Sequence, residues 1–435
     1  MNKKIIPIKQ IPLQEYIRST PKPAKKPDDT AMCSTKWTST WVSLSRGIIK
    51  SCCQVPDKLV TDEDIKKYDI DVFQNHPYDL ERRKEKLENI RHVDCKLCWD
   101  LEDKKIHSPR LSKPFYDLHK QRFDLAEDSV QPLTTQLELY FNNTCDLKCI
   151  YCNSDYSTQW ETEDLKFGKI KKHKTDHTLL HDTFWKWLEE DAADKLLQYF
   201  ILGGEPLIQP EFYNFIDRLL VILKSKPNRF GIKPELIITS NGNTPPNYLE
   251  KWFNKIAEID PYLTVQINIS IEGTGPKAEY IRTNLDWERF SSNLDKTVAI
   301  CKKFNLRNRL SISHSVLSIT SFLDLLKWVK SLEDKHNTSI ELIQTHVNHP
   351  YHLSPLMLTQ EFSSYVDEVC NWINEQAPDW ASYADFMKGI AKNFGTQDPK
   401  LNRKFIEWEQ EIYKRRNLKF LDIFPEMTDW YNKLQ

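Results

Sequence analysis

Three cysteines fall within eight residues of one another in Cys145-Asp146-Leu147-Lys148-Cys149-Ile150-Tyr151-Cys152. Thiolates so spaced can wrap one corner of a metal cluster. Iron–sulfur clusters take cysteine thiolates, and a cubane normally wants four. Three ligands leave one iron open to a substrate or cosubstrate. A zinc site with a distant fourth ligand is an alternative, and so is a set of unrelated buried thiols. The loop follows an apolar run, Gln136 to Phe141, that reads as a strand, and this position favours the cluster.

Other polar motifs also sit where apolar runs stop. Gly203-Gly204-Glu205-Pro206 follows Tyr199-Phe200-Ile201-Leu202. Adjacent glycines let a backbone approach a ligand closely, and a carboxylate can accept from an ammonium group; the bland alternative is a tight turn into a helix. Asn241, in Ser240-Asn241-Gly242-Asn243, is weaker, being a bare Asn-Gly turn. Ser270 and Glu272, in Ser270-Ile271-Glu272-Gly273-Thr274-Gly275, alternate onto one face. Arg282 is a candidate partner for a carboxylate or else a solvated helix charge. These three strand-end windows hold five of the ten glycines in 435 residues, so the backbone there has special demands.

A second cysteine set lies nearer the N-terminus. Cys33 and Cys52 flank Gly47, between strand-like Trp41-Val42-Ser43-Leu44 and Ile48-Ile49-Lys50-Ser51, which predicts a hairpin. Cys95 and Cys98 follow as a Cys-x2-Cys pair. A second cluster and a structural zinc site both fit four cysteines. Neighbouring thiolates on a strand point apart, so only one of Cys52 and Cys53 is expected to ligate.

These residues need a scaffold that brings strand ends together. Six strands are expected: Gln136–Phe141, Tyr199–Leu202, Glu235–Thr239, Val265–Ile271, Leu310–Val316 and Ser339–Ile343. Helix-length amphipathic segments lie between them, such as Glu211–Lys224 and Phe290–Phe304. Repeating strand–helix units imply an α/β fold with a parallel sheet. Six units suggest a partial, open (β/α)6 version of the TIM-like barrel, with its site at the C-terminal strand ends. Residues 1–30 read as a flexible arm rich in proline and charge, 31–104 as a cysteine-bearing module, 130–350 as the partial barrel, and 351–435 as a helical extension.

The loop from Cys145 to Cys152, with Tyr151 in its aromatic slot, resembles the signature of the radical S-adenosylmethionine (SAM) superfamily. The resemblance covers about half the chain and implies the following. Cys145, Cys149 and Cys152 hold a 4Fe–4S cluster whose fourth iron is chelated by SAM, and Tyr151 lies near the adenine. Gly203, Gly204 and Glu205 match the motif that binds the methionine amino group. Ser270 and Glu272 match the strand end that contacts ribose and carboxylate. The fifth strand, with Ser313, Ser315 and Val316, lacks the family's glycine-rich motif. The set Cys33, Cys52, Cys95 and Cys98 resembles the SPASM/twitch modules that ligate an auxiliary 4Fe–4S cluster, here placed before the barrel. The implied activity is reductive SAM cleavage to a 5′-deoxyadenosyl radical that abstracts hydrogen from a substrate carbon. A peptide or protein is the leading substrate. Oxidation or rearrangement of a small metabolite is the alternative, and a non-catalytic iron–sulfur or zinc protein that binds a partner is a third reading. The electron donor expected is a flavodoxin or ferredoxin.

Composition sets outer bounds. The formal net charge of −1 indicates no nucleic-acid surface. No apolar run approaches the roughly 18 residues a membrane span needs, and the start lacks a signal peptide's apolar core, so a reducing, cytoplasmic setting is expected. Cys301 and Cys370 read as core thiols, and the tail tryptophans as core. His173, His177 and His181 recur every four residues, but Lys171, Lys172 and Lys174 around them argue for a solvated face. His346, His349 and His352 read as a polar loop.

Overall fold

The computed structural model describes residues 31–103, 108, 110, 132, 134–171, 176–396 and 398–435; the expected arm at 1–30 and His173 lie outside the described residues. The strands are β1 (Ser39–Ser43), β2 (Ile48–Lys50), β3 (Gln136–Tyr140), β4 (Lys148–Cys149), β5 (Gln198–Leu202), β6 (Glu235–Ser240), β7 (Thr264–Ser270), β8 (Arg282–Thr283), β9 (Arg307–His314) and β10 (Glu341–His346). The fold is mixed α/β: an eight-stranded, mostly parallel sheet in the order β10-β9-β7-β6-β5-β3-β1-β2, with β4 and β8 as a separate ladder. All six expected barrel strands are present. The chain divides into two compact units, each taken in turn below.

The first unit comprises Met1–Asn143, Lys172–Ile238 and Ile256–Val265. The expected hairpin forms: β1 pairs antiparallel with β2, and Gly47 takes φ +65° in its turn. Beyond expectation, β1 also pairs parallel with β3, Ser39 opposite Gln136 and Ser43 opposite Tyr140. The cysteine-bearing segment therefore adds strands to the barrel sheet. Next, β3 pairs with β5 and β5 with β6, all parallel. Leu137, Leu139, Tyr199, Ile201, Leu236 and Ile238 are fully buried. The helix Pro210–Ser225 packs an apolar stripe of Phe212, Phe215, Ile216, Leu219 and Leu223, the spacing of a helix with one inner face.

The second unit comprises Thr144–Lys171, Thr239–Lys255 and Gln266–Gln435. Here β7, β9 and β10 pair in parallel. Two boundaries differ from the expected ones, for local reasons. Strand β9 stops at His314 because Ser315 and Ser318 close a turn, the Ser315 N–H donating to Ser318 Oγ at 2.8 Å. Strand β10 starts at Glu341 because Asn337 adopts the left-handed conformation and the Ile340 N–H donates to the Glu333 carboxylate at 2.7 Å, still serving the preceding helix. The helix Trp287–Lys303 is N-capped by Asp286 and buries Phe290, Leu294, Val298 and Cys301. In the helical extension, Trp430 and Phe405 sit edge to face, centroids 5.2 Å apart, and Cys370 is buried, so the core reading of these residues holds. No helix among the described residues is long and apolar enough to cross a membrane.

Candidate functional site

The three-thiol loop lies in the second unit and is bonded along its whole length. Thr158 holds both backbone polar atoms of Cys145, at 3.2 and 3.1 Å. The Ser157 hydroxyl donates to Leu147 O at 2.6 Å while N-capping the helix Thr158–Lys166, and Trp160 Nε1 donates to Cys149 O at 2.9 Å. The carboxylate of Asp146 accepts from Asn241 Nδ2 at 2.7 Å and Asn243 Nδ2 at 2.8 Å, and its carbonyl from Asn284 Nδ2 at 3.2 Å. A loop whose polar groups are this fully satisfied presents its thiols in one arrangement.

Strands β4 and β8 set the loop's far end: Cys149 lies opposite Arg282 and Lys148 opposite Thr283. Arg282 is buried in a strand, so the solvated-helix reading is overturned; the helix Gly275–Ile281 ends one residue earlier. Its Nε and Nη2 donate to the two oxygens of Glu272 at 2.7 and 2.6 Å, a bidentate pair. Its Nη2 also donates to the Tyr151 hydroxyl at 2.6 Å, which in turn donates to Glu272 Oε1 at 2.8 Å. The Nη1 group lies 3.7 Å from Cys149 Sγ. Burial pushes the Cys149 thiol up to about 12, opposed by the Arg282 charge, and raises Tyr151 strongly. Ligand formation at Cys149 must therefore expel a proton.

Asn241 reads in sequence as a bare Asn-Gly turn. It donates to Asp146 and lies 3.8 Å from Cys145 Sγ, so its turn touches the loop directly. Gly242 takes φ +72°, and a Cβ there would meet Phe290 at 2.6 Å, so only glycine fits. Ser270 ends β7 and is half-buried.

Sequence reasoning missed the contribution of the C-terminal tail. Arg416, at the end of the helix Lys400–Arg416, donates to Lys148 O at 3.2 Å, Thr283 Oγ1 at 2.9 Å and Glu163 at 3.1 Å. Its guanidinium lies 4.4 Å from the Trp160 ring centre. Arg415 donates to Asp164 at 2.8 Å. Two adjacent arginines at a helix end look like ordinary dipole partners in sequence, so nothing local reveals that they clamp a loop more than 250 residues away.

In the first unit, Gly203 and Gly204 take φ +83° and +60°, the region that favours glycine. A Cβ on Gly203 would lie 2.4 Å from Tyr140 Cδ1. Glu205 is fully buried, and its carboxylate accepts from the Leu207 N–H at 3.2 Å. It thus caps the short turn Pro206–Ile208, as the structural alternative expected.

Also in the first unit, Cys33, Cys52, Cys95 and Cys98 line one cavity that opens to solvent, together with Cys53 and Arg110. Burial raises Cys95, and takes Cys98 up to about 11; both thiols feel Cys33 and Cys52. No three His, Cys, Asp or Glu side chains among the described residues converge on a single metal ion. No disulfide joins any of the ten cysteines.

The remaining histidines divide. His177 and His181 are one helical turn apart, and burial lowers His181. Burial also lowers His346 and His352, and His349 is exposed.

Residues 139–320 match the Radical SAM superfamily. No curated protein matches the chain. A solved structure described as native anSMEcpe with bound AdoMet is 15% identical, with a TM-score of 0.37, covering 55% of this chain and 59% of that one. SuiB of Streptococcus suis bound to S-adenosylmethionine is 13% identical, with a TM-score of 0.36, covering 78% of this chain and 69% of that one. SuiB bound to precursor peptide SuiA is 13% identical, with a TM-score of 0.35, covering 79% and 70%. The chain spans less than two thirds of the length of anSMEcpe. Residues 139–320, which match the Radical SAM superfamily, carry the three-thiol loop, Gly203-Gly204-Glu205 and the Glu272–Arg282 pair.

Proposed function

We propose that this chain cleaves SAM reductively and uses the resulting 5′-deoxyadenosyl radical on a peptide or protein. The observation that carries the reading is the convergence of two strand-end motifs and Arg282 on one thiol loop: Asn241 and Asn243 on Asp146, and Glu272 with Arg282 beside Cys149. A bound 4Fe–4S cluster supplies the electron that breaks the sulfonium bond. The chain's own residues hold and orient. Cys145, Cys149 and Cys152 are the ligands. Glu272 fixes Arg282 so that Nη1 faces the loop, available to the carboxylate of SAM. Tyr151 completes this buried corner and keeps water from it. Gly203, Gly204 and Glu205 serve the methionine amino group, and Ser270 the ribose.

Cys33, Cys52, Cys95 and Cys98 hold an auxiliary 4Fe–4S cluster in a twitch-like module over residues 31–104. The shared cavity and the mutual influence of these four thiols support that assignment. The peptide class rests on the resemblance of this module to SPASM/twitch modules, many of whose enzymes modify peptides. A flavodoxin or ferredoxin is the electron donor, in the cytoplasm. Anaerobic incubation with SAM and dithionite, followed by mass spectrometry, tests the reading. It expects 5′-deoxyadenosine and altered cellular peptides; a reconstituted protein that leaves SAM intact refutes it.

A further inference from the structure

The helix Pro77–Leu87 is unusual in what it buries. Its buried residues are Asp79, Arg82, Arg83 and Lys86, the i, i+3, i+4, i+7 set that a helix ordinarily gives to apolar side chains. Three members of this inner face have evident companions. Asp79 faces Lys58 at 3.5 Å, Arg82 pairs with Glu85 at 3.0 Å, and Arg83 donates to Gln74 O at 2.8 Å. Lys86 is different. It is 2% exposed, and its ammonium has no hydrogen-bond partner of ordinary geometry. It rests over the Trp99 ring at 4.3 Å, and the groups acting on it besides burial are the thiols of Cys95 and Cys33 and the ammonium of Lys36. Lys36 is also buried, lines the four-cysteine cavity, and has a hydroxyl, Ser51 Oγ at 3.0 Å, as its acceptor.

Neither buried ammonium group forms an ion pair with a described carboxylate, although Asp94 lines the same cavity as Lys36, and such groups are costly to keep charged. Four thiolates around a cubane would supply the missing negative charge on the side where both lysines lie. We infer that Lys86 and Lys36 are the counter-charges of the auxiliary cluster and raise its reduction potential. The inference rests on the auxiliary-cluster reading above. Reduction adds one electron to the cluster and neither makes nor breaks a bond to the protein. A fixed positive charge in a low-dielectric pocket favours the more negative, reduced form. A cluster so poised is suited to accept an electron.

The test uses the full chain carrying Cys145→Ala, Cys149→Ala and Cys152→Ala, so that only the auxiliary cluster contributes. After anaerobic reconstitution it should retain about four irons. Dithionite titration followed by electron paramagnetic resonance then gives its midpoint. Adding Lys86→Met should shift the oxidised-to-reduced ratio at fixed potential at least tenfold towards oxidised, a midpoint lower by about 59 mV or more for one electron. Lys86→Arg, which keeps the charge, should stay within that interval. If Lys86→Met fails to load iron, Lys36→Met is read in its place with the same expectation. An unchanged midpoint in an iron-loaded Met variant overturns the inference alone, as does an equal fall in Lys86→Arg. A triple-alanine parent that holds zinc, or no metal, overturns the auxiliary-cluster reading and the inference with it.

Discussion

Replacing Arg282 by Met tests how the thiol loop is held. Arg282 is 4% exposed and Glu272 is 1% exposed, and three bonds of 2.6–2.7 Å join the guanidinium to Glu272 and Tyr151. Met keeps much of the apolar stem but strands the Glu272 carboxylate in the interior. Breaking a buried pair from one side costs about 3–5 kcal/mol, mostly as the stranded charge. The ladder at stake has only two rungs, Cys149–Arg282 and Lys148–Thr283, so the cost should appear as local opening. The reporter is the Ile150 amide, which donates to Ile281 O at 2.9 Å. At tenfold per about 1.4 kcal/mol, its hydrogen exchange should speed by roughly two to nearly four orders of magnitude in metal-free protein. Adding Glu272→Leu removes the stranded charge and should recover most of the protection, since apolar replacement of a buried pair is often neutral. The reasoning fails if the double variant exchanges as fast as the two single effects summed, a coupling under about 0.5 kcal/mol.

Replacing Cys145, Cys149 and Cys152 together by Ala should abolish 5′-deoxyadenosine formation, because alanine offers no ligand; persistent cleavage, measured by mass spectrometry, would sink the loop's assignment. Glu205→Gln should weaken SAM binding by about 1.5–3 kcal/mol, ten- to a hundredfold, if the carboxylate holds the methionine ammonium; unchanged affinity by equilibrium titration leaves Glu205 as a turn cap. Burial lowers His314 to about 4, so between that value and its ordinary 6.5 the unfolded chain binds a proton that the folded chain refuses. Stability should therefore fall as pH drops through this window, by up to about 3 kcal/mol, and be fully present above it. Urea unfolding of His314→Gln, which cannot titrate, should show a correspondingly flatter pH dependence; an equal slope refutes this account.

Much of the site was legible because its chemistry demands residue types that few other roles use. Three thiols in eight residues and paired glycines before a carboxylate stand out locally, and the six barrel strands follow from apolar runs. Arg282 is ambiguous in sequence because its partner Glu272 sits ten residues away across a helix, and sequence gives no measure of burial. Asn241 looked like any turn asparagine until folding set it against Asp146, 95 residues earlier.

The sequence by itself determined the local conformations and the ligand inventory, since strand alternation, caps and positive-φ glycines depend on neighbours a few residues apart. Only the tertiary structure decided which charges are buried and against what. It set β1 beside β3, turned a charged helix face towards Cys33 and Cys95, and brought Arg416 under the thiol loop. The physical reason is that a charge's role depends on its desolvation and its nearest opposite charge, and both are properties of distance through space that the order of residues does not encode.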